Sequence, residues 1–341
     1  MQLHERLVPS EPHAIAMLEA AYRMDRPEDE WVEGIRQAYE PSAPGAPVVL
    51  GFLYDASDGN HVRMRSICGG DEHHRTWLAG AGQTEWDPAT VSAIFNSPTG
   101  SRVSSQVQDE ADNRRLFERV LANSMGFVDG WGILGTDLRM RGLLVGAMSR
   151  ELVPVMSPGL ALSWQAASAH LSAAYCLREA MKEGLAPTES VLTPGGRVLD
   201  AEGDARSVDA RESLRHAVRA IDRARTRHRR QSPEALAAWQ AVVAGRWTLV
   251  DQTESDGKRV LLARVNALPV RAEARLSERE AQALGLAVQG LSNKQIGYRL
   301  GVGAPAVTNY LKRAATKLGV TNRLELVRRA QAAANPYGAS G

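Results

Sequence analysis

The 341-residue chain holds only two cysteines, Cys68 and Cys176, more than a hundred positions apart. Thiols so distant supply neither a disulfide framework nor paired metal-ligand spacing, and both read as small buried apolar residues. Long hydrophobic runs are missing as well. Hydrophobic residues make up 44% and charged residues 23%, but every apolar stretch is short and broken by polar positions, so no membrane span is expected. Met1-Gln2-Leu3-His4-Glu5-Arg6 contains no basic segment running into an apolar one; no secretory signal is expected, and the expected location is the cytoplasm. The chain also lacks a G-x-S-x-G elbow, a Walker sequence, a dinucleotide fingerprint, an H-E-x-x-H motif and any acid-base pair whose spacing forces catalysis. Neither an enzymatic role nor a cofactor is expected. Cys68-Gly69-Gly70-Asp71-Glu72-His73-His74 is the one cluster that invites a metal. Adjacent histidines diverge on a strand or a helix and no second ligand group follows at metal-site spacing, so the segment reads as a polar loop without a metal.

A strong net charge is absent too, since the whole chain carries +2. The mean conceals an asymmetry: residues 271 to 329 hold 11 Lys and Arg against 4 Asp and Glu, a net +7 that leaves −5 on the remainder. A basic end on an acidic body points to a localised contact with a polyanion. At this length two or three domains are expected, each able to bury its own core.

Ile15, Leu18 and Tyr22 recur at helical spacing, as do Trp31, Ile35 and Ala38 before Pro41 and Pro44. Residues 48 to 54 and 61 to 67 flank the turn residues Ser57-Asp58-Gly59-Asn60 and read as a β-hairpin. A second strand pair, 131 to 135 and 142 to 147, surrounds Thr136-Asp137. Helices are expected between the pairs, one of them near Asn113 to Asn123. A longer helix begins after Pro158 with Leu160, Trp164, Ala167, Leu171 and Ala174 on one stripe, which is either core or a dimer seam. Helix, hairpin, helices, two strands and a closing helix resembles the element order of GAF-type sensor domains.

Further along, Val191 to Leu199 gives a strand-turn-strand signal, and 247 to 250 with 259 to 263 gives another around Glu254-Ser255-Asp256-Gly257. With helices between them and an "L-x-P-x-G-R-V-L" opening, this region is similar to a degenerate PAS-like module. Its first helix carries Leu214, Val218 and Ile221 on one side and Arg211, Arg215, Arg219, Arg223, Arg225 and Arg227 elsewhere, running into His228-Arg229-Arg230 before Pro233. That run is either a nucleic-acid contact or a solvated face balanced by the acidic body.

From Leu276 the local signals converge. Ser277-Glu278-Arg279-Glu280 is a capping box, followed by Ala281, Leu284, Val288 and Leu291 on one apolar face and a stop at Gly290. Ser292-Asn293-Lys294-Gln295 repeats the pattern for a short helix with Ile296 and Leu300 inward, ended by Gly301. A third helix starts near Ala304 with Pro305 in its first turn, where a missing amide hydrogen costs little, and turns Val307, Leu311, Ala314, Ala315 and Leu318 inward. Gly319 ends it and Thr321 is expected to cap a last helix through Leu324, Val327 and Ala330. The fold class expected is multidomain α+β: GAF-like (1–186) and PAS-like (187–270) antiparallel-sheet domains ahead of an all-α four-helix helix-turn-helix domain (271–336).

Three blocks, "L-S-E-R-E-A-Q-A-L" at 276–284, "G-L-S-N-K-Q-I-G-Y-R-L-G-V" at 290–302 and "K-L-G-V-T-N-R-L-E-L-V" at 317–327, resemble the LuxR-type (GerE-type) DNA-binding domain almost end to end. The resemblance implies a double-stranded DNA partner, a third helix in the major groove and a fourth that helps the domain form a homodimer. The outward positions of the third helix are Thr308, Asn309, Lys312, Arg313 and Thr316. Asparagine can pair bidentately with adenine, lysine can donate to guanine and a threonine methyl can meet thymine, so Asn309, Lys312 and Thr308 are the candidate base readers. Lys294, Arg313, Lys317 and Arg323 are the candidate phosphate contacts. The chain departs from the family at Gly303, where a serine-like cap is usual, and at Ala306-Val307-Thr308-Asn309-Tyr310, where "T-V-K-x-H" is usual. Two readings stay open: a dimeric regulator adjusted by a small-molecule or protein effector at its N-terminal region, and a co-regulator that docks proteins and does not read DNA alone. The first region lacks the acidic pair and phosphorylatable aspartate of a response-regulator receiver and the tryptophan and tyrosine spacing of homoserine-lactone binding domains.

Overall fold

The structure, a computed structural model, describes residues 13–81, 85–86, 88–95, 101–103, 126–137, 140–154, 156–225, 247–253, 257–265, 276–288, 291–318 and 320–334. The helix expected near 113 to 123, the arginines beyond 225, and the stops at Gly290 and Gly319 lie outside the described residues. Two compact units emerge, Met1–Cys176 and Leu177–Gly341.

In the first unit, helices α1 (Ala14–Ala21) and α2 (Glu28–Tyr39) precede strands β1 (Val48–Asp55) and β2 (Arg63–Gly69). Then come α3 (Glu72–Ala81), α4 (Pro88–Phe95), a three-residue β3 (Ser101–Val103), β4 (Asp129–Thr136), β5 (Arg141–Ser149) and α5 (Pro158–Lys182). The strands form one antiparallel sheet in the order β2-β1-β5-β4-β3. Both expected strand pairs are present as neighbours in it, and β3 is an extra edge strand too short to leave a periodic signal.

Strand β1 explains the layering. Its residues 48 to 54 are buried without alternation, the pattern of a strand covered on both faces. Val48, Leu50, Phe52 and Tyr54 pack with Leu78 of α3, Trp86, and Val91 and Phe95 of α4. The opposite face meets α2, because a Cβ on Gly51 would lie 3.4 Å from Val32 Cγ1. There Tyr39, Trp131 and Trp164 pack together, the two indoles T-shaped at 4.7 Å between ring centroids, and Tyr39 Oη donates to the Trp131 carbonyl. Trp164, Ala167, Leu171 and Ala174 are all buried, so within this chain the α5 stripe is core. The helix comes so close to β4 that a Cβ on Gly135 would sit 2.6 Å from the Leu171 carbonyl carbon.

Two local readings change. The segment after Gly70 is not a loop: Asp71 Oδ1 accepts from the His74 amide at 2.9 Å and so caps α3, with His74 Nδ1 2.6 Å from the same oxygen. Nor are the cysteines enclosed. Both are half-buried, and the Cys68 thiol donates to the Gly51 carbonyl at 3.3 Å. No group of three or more His, Cys, Asp or Glu suited to a metal ion occurs among the described residues, and none of their helices is long and apolar enough to cross a membrane.

The second unit opens with β6 (Thr188–Leu192), β7 (Val198–Ala201) and α6 (Val208–Ala224), followed by β8 (Trp247–Thr253) and β9 (Arg259–Val265). These strands form an antiparallel sheet ordered β7-β6-β9-β8. Ser207 caps α6 by accepting from the Ala210 amide, and Leu214, Val218, Ile221 and Ala224 form its buried side. Asp251 of β8 holds both Arg225 at the end of α6 and Arg259 of β9, tying helix to sheet. Four helices complete the unit: α7 (Glu278–Val288), α8 (Asn293–Leu300), α9 (Ala304–Leu318) and α10 (Arg323–Ala334).

Candidate nucleic-acid interface

Each helix of the C-terminal bundle is started by its own sequence. At α7 the Ser277 amide donates to Glu280 Oε2 at 2.7 Å while Ser277 Oγ accepts from the Glu280 amide at 3.4 Å. Ser292 and Gln295 make the same reciprocal pair at α8, at 2.8 and 3.3 Å. Gly301 then takes φ 69°, the left-handed conformation that closes α8 and turns the chain toward α9. The last helix starts one residue later than expected. Asn322, not Thr321, caps α10 by accepting from the Glu325 amide at 2.9 Å, in line with asparagine being the better cap, and Thr321 instead donates to the Glu325 carboxylate. Helix α7 is also more enclosed than a one-sided stripe implies: every residue from Ala281 to Val288 is buried. The near-continuous small and apolar run Ala281-Gln282-Ala283-Leu284-Gly285-Leu286-Ala287-Val288 carried that signal.

Helix α9 divides as its periodicity demands. Val307, Leu311 and Ala314 are buried, with Ala315 and Leu318 partly so, whereas Thr308, Asn309, Lys312, Arg313, Thr316 and Lys317 are exposed along its outer side. Among the described residues Asn309, Lys312 and Arg313 have no side-chain partner, and Lys294 at the start of α8 is exposed as well. Thr308 Oγ1 donates to the Ala304 carbonyl at 3.1 Å, and Thr316 Oγ1 to that of Lys312 at 3.0 Å. Back-bonding of this kind uses the hydroxyl protons, so the methyl groups are what these threonines have left to offer an apolar partner.

Two of the candidate phosphate contacts are already engaged. Lys317 Nζ lies 2.6 Å from Glu280 Oε2, and Arg323 donates to Asn293 Oδ1 and to the Leu291 carbonyl. Asn293, not among the candidate contact residues, is the junction: its Nδ2 donates to Thr308 Oγ1 at 2.9 Å. One amide therefore links the starts of α8, α9 and α10 on the outer face. Its only signal in the sequence was a polar residue just inside the second capping box. Asn293→Ala is expected to weaken duplex binding several-fold without unfolding the bundle, because each lost exposed bond costs only about 0.5 to 1.5 kcal/mol; binding isotherms beside far-UV circular dichroism check both halves. Gly303, as its lack of a side chain dictates, gives α9 only its carbonyl, which accepts from the Ala306 and Val307 amides.

Glu280 is buried, its side chain 4% exposed. Burial pushes its carboxyl up, but the bonds from Lys317 and Ser277 outweigh that and leave it below its ordinary 4.5. A carboxyl with a lowered folded value stabilises the fold above its unfolded pKa, and that stability is lost as pH falls through the folded value. The bundle is therefore expected to lose thermal stability on acidification below about pH 4.5, and Glu280→Gln is expected to flatten that acid limb in melts run across pH.

Residues 274–330 match the family described as bacterial regulatory proteins, luxR family. This stretch is a LuxR-family helix-turn-helix domain. Its bounds enclose all of α7, α8 and α9 and the capping boxes that begin the first two, so the family assignment and the geometry describe the same piece of chain. Among curated proteins the chain has no match. Among solved structures, Escherichia coli SdiA aligns over 91% of this chain and 93% of its own at 13% identity with a TM-score of 0.28, a likeness too low to bear on the fold.

Proposed function

We propose that the protein is a sequence-specific DNA-binding transcription regulator that acts as a homodimer, with its N-terminal region adjusting the LuxR-family domain. The observation that carries this is the division of α9: an inward apolar stripe fixes the helix while Asn309, Lys312 and Arg313 stand exposed without side-chain partners among the described residues. A protruding helix edge of this chemistry suits the major groove, with Asn309, Lys312 and Thr308 toward bases and Arg313 and Lys294 toward phosphates. Lys317 and Arg323 reach phosphates only by giving up their present partners.

Few phosphate contacts per domain make dimerisation the determinant of affinity, since two linked domains double them and set the half-site spacing. We assign the regulatory role to a GAF-like domain over 1–186 and a PAS-like one over 187–270. The element order of the first and the strand-helix-strand order of the second support that reading, and a small-molecule or protein effector is the signal they would take. Titrating the full chain with its gene's own upstream DNA and with random duplex at fixed salt tests the proposal; a specificity ratio near one overturns it. The engagement of Lys317 and Arg323 favours, as a second reading, a co-regulator that docks proteins through the same basic domain. Target regulation that survives alanine at both Asn309 and Lys312 selects it.

A further inference from the structure

The arginines of α6 are left over from the reading above. Arg211, Arg215, Arg219 and Arg223 follow one another at four-residue steps, so they share one flank of the helix and advance about 6 Å each. The β6–β7 turn adds a fifth cation beside them: a Cβ on Gly196 would lie 3.5 Å from Arg219 Nε, and the next residue, Arg197, is exposed. Three acidic groups close to α6 are engaged. Arg215 pairs with Glu212 at 3.3 Å, Asp222 lies 3.6 Å from Arg259, and Asp251 holds Arg225 and Arg259. Among the described residues Arg197, Arg211 and Arg219 have no acidic partner.

We infer that this arginine ladder is a second DNA contact, one that grips the phosphate backbone of duplex beside the site read by α9. The inference rests on the regulator reading. Guanidinium groups strung out in a line suit a linear polyanion, whereas a single phosphate group would need them to converge. Duplex DNA is the polyanion the chain brings to itself. The ladder and the LuxR-family domain lie in the same compact unit, Leu177–Gly341. Only twelve residues separate Val265 of β9 from Glu278 of α7, a span of at most about 43 Å. Once α9 is seated, flanking phosphates are held at high effective concentration near α6. Because it touches only phosphates, the ladder adds affinity and salt dependence without adding sequence preference.

The test uses full-length protein, wild type and Arg211→Gln/Arg219→Gln, on duplexes that carry the upstream site with long or trimmed flanks. Each phosphate contact contributes about 0.9 to the slope of log K against log salt concentration. The Gln variant is expected to lose about two contacts' worth of slope on the long duplex, to become insensitive to flank trimming, and to keep its specificity ratio. Arg211→Lys/Arg219→Lys is expected to retain the wild-type slope, which separates charge from folding. An unchanged slope in the Gln variant overturns the ladder while leaving the regulator reading intact. A slope change confined to single-stranded RNA also overturns it. A wild-type specificity ratio of one marks failure of the regulator reading itself.

Discussion

Alanine at both Asn309 and Lys312 is expected to erase most of the protein's sequence preference while leaving its fold untouched. Each well-aligned contact to a base edge discriminates by about 1 to 3 kcal/mol, so the pair is expected to account for about 2 to 6 kcal/mol, on the order of 30-fold to 10⁴-fold. Binding and folding are expected to separate cleanly, because both side chains are exposed and, among the described residues, neither has a side-chain partner whose loss would disturb α9. Competition binding between upstream and random duplex reads the effect as a collapse of their affinity ratio. Arg313→Ala is the contrast: affinity is expected to fall about equally on both duplexes, with one contact's share of the salt slope gone. A double variant that keeps the wild-type ratio would show that α9 does not read bases.

The second large effect belongs to the first unit. Trp164→Ala is expected to cost about 3 to 5 kcal/mol, the range for emptying a buried aromatic site. Trp164 is 0% exposed, its ring T-shaped against Trp131 and 5.8 Å from that of Tyr39. Those neighbours come from β4 and α2, so the void opens where three elements meet and the backbone has little room to collapse. Urea unfolding followed by tryptophan fluorescence should show a midpoint shift specific to this unit. Leu185→Ala, at a side chain 56% exposed, is expected to change stability by less than about 0.5 kcal/mol. A comparable shift in the two would contradict the core assignment.

Legibility followed how local each determinant is. The four helices of the LuxR-family domain were readable because caps, stops and stripes act over three or four residues. Two readings slipped, both in the last helix: the adjacent capping residues Thr321 and Asn322 compete for one amide, and Leu324, expected on the inward stripe, is exposed while Leu326 is buried in its place. The strand pairs were readable for the same reason, each being bounded by its own turn residues. What escaped depends on partners distant in sequence. Nothing near Asn293 announces that Arg323, thirty positions on, will meet it. Likewise Lys317 and Arg323 look like free cations until the fold sets Glu280 and Asn293 against them. Strand β3, three residues long, has no periodicity to read, and the Asp71 cap is ambiguous in the sequence because an aspartate three residues before a histidine suits metal ligation as well as helix capping.

The pairing of β1 with β5 joins Val48 to Met148, a hundred positions apart, whereas the C-terminal helices close on shorter loops, Asn293 to Arg323 spanning thirty positions and Glu280 to Lys317 thirty-seven. Loop closure between such remote segments slows assembly, and short-range helical contacts speed it. A complete chain refolding from denaturant is thus expected to recover its C-terminal helices before the large sheet at its other end, so far-UV helical signal should return ahead of the fluorescence of the Trp131 and Trp164 pair.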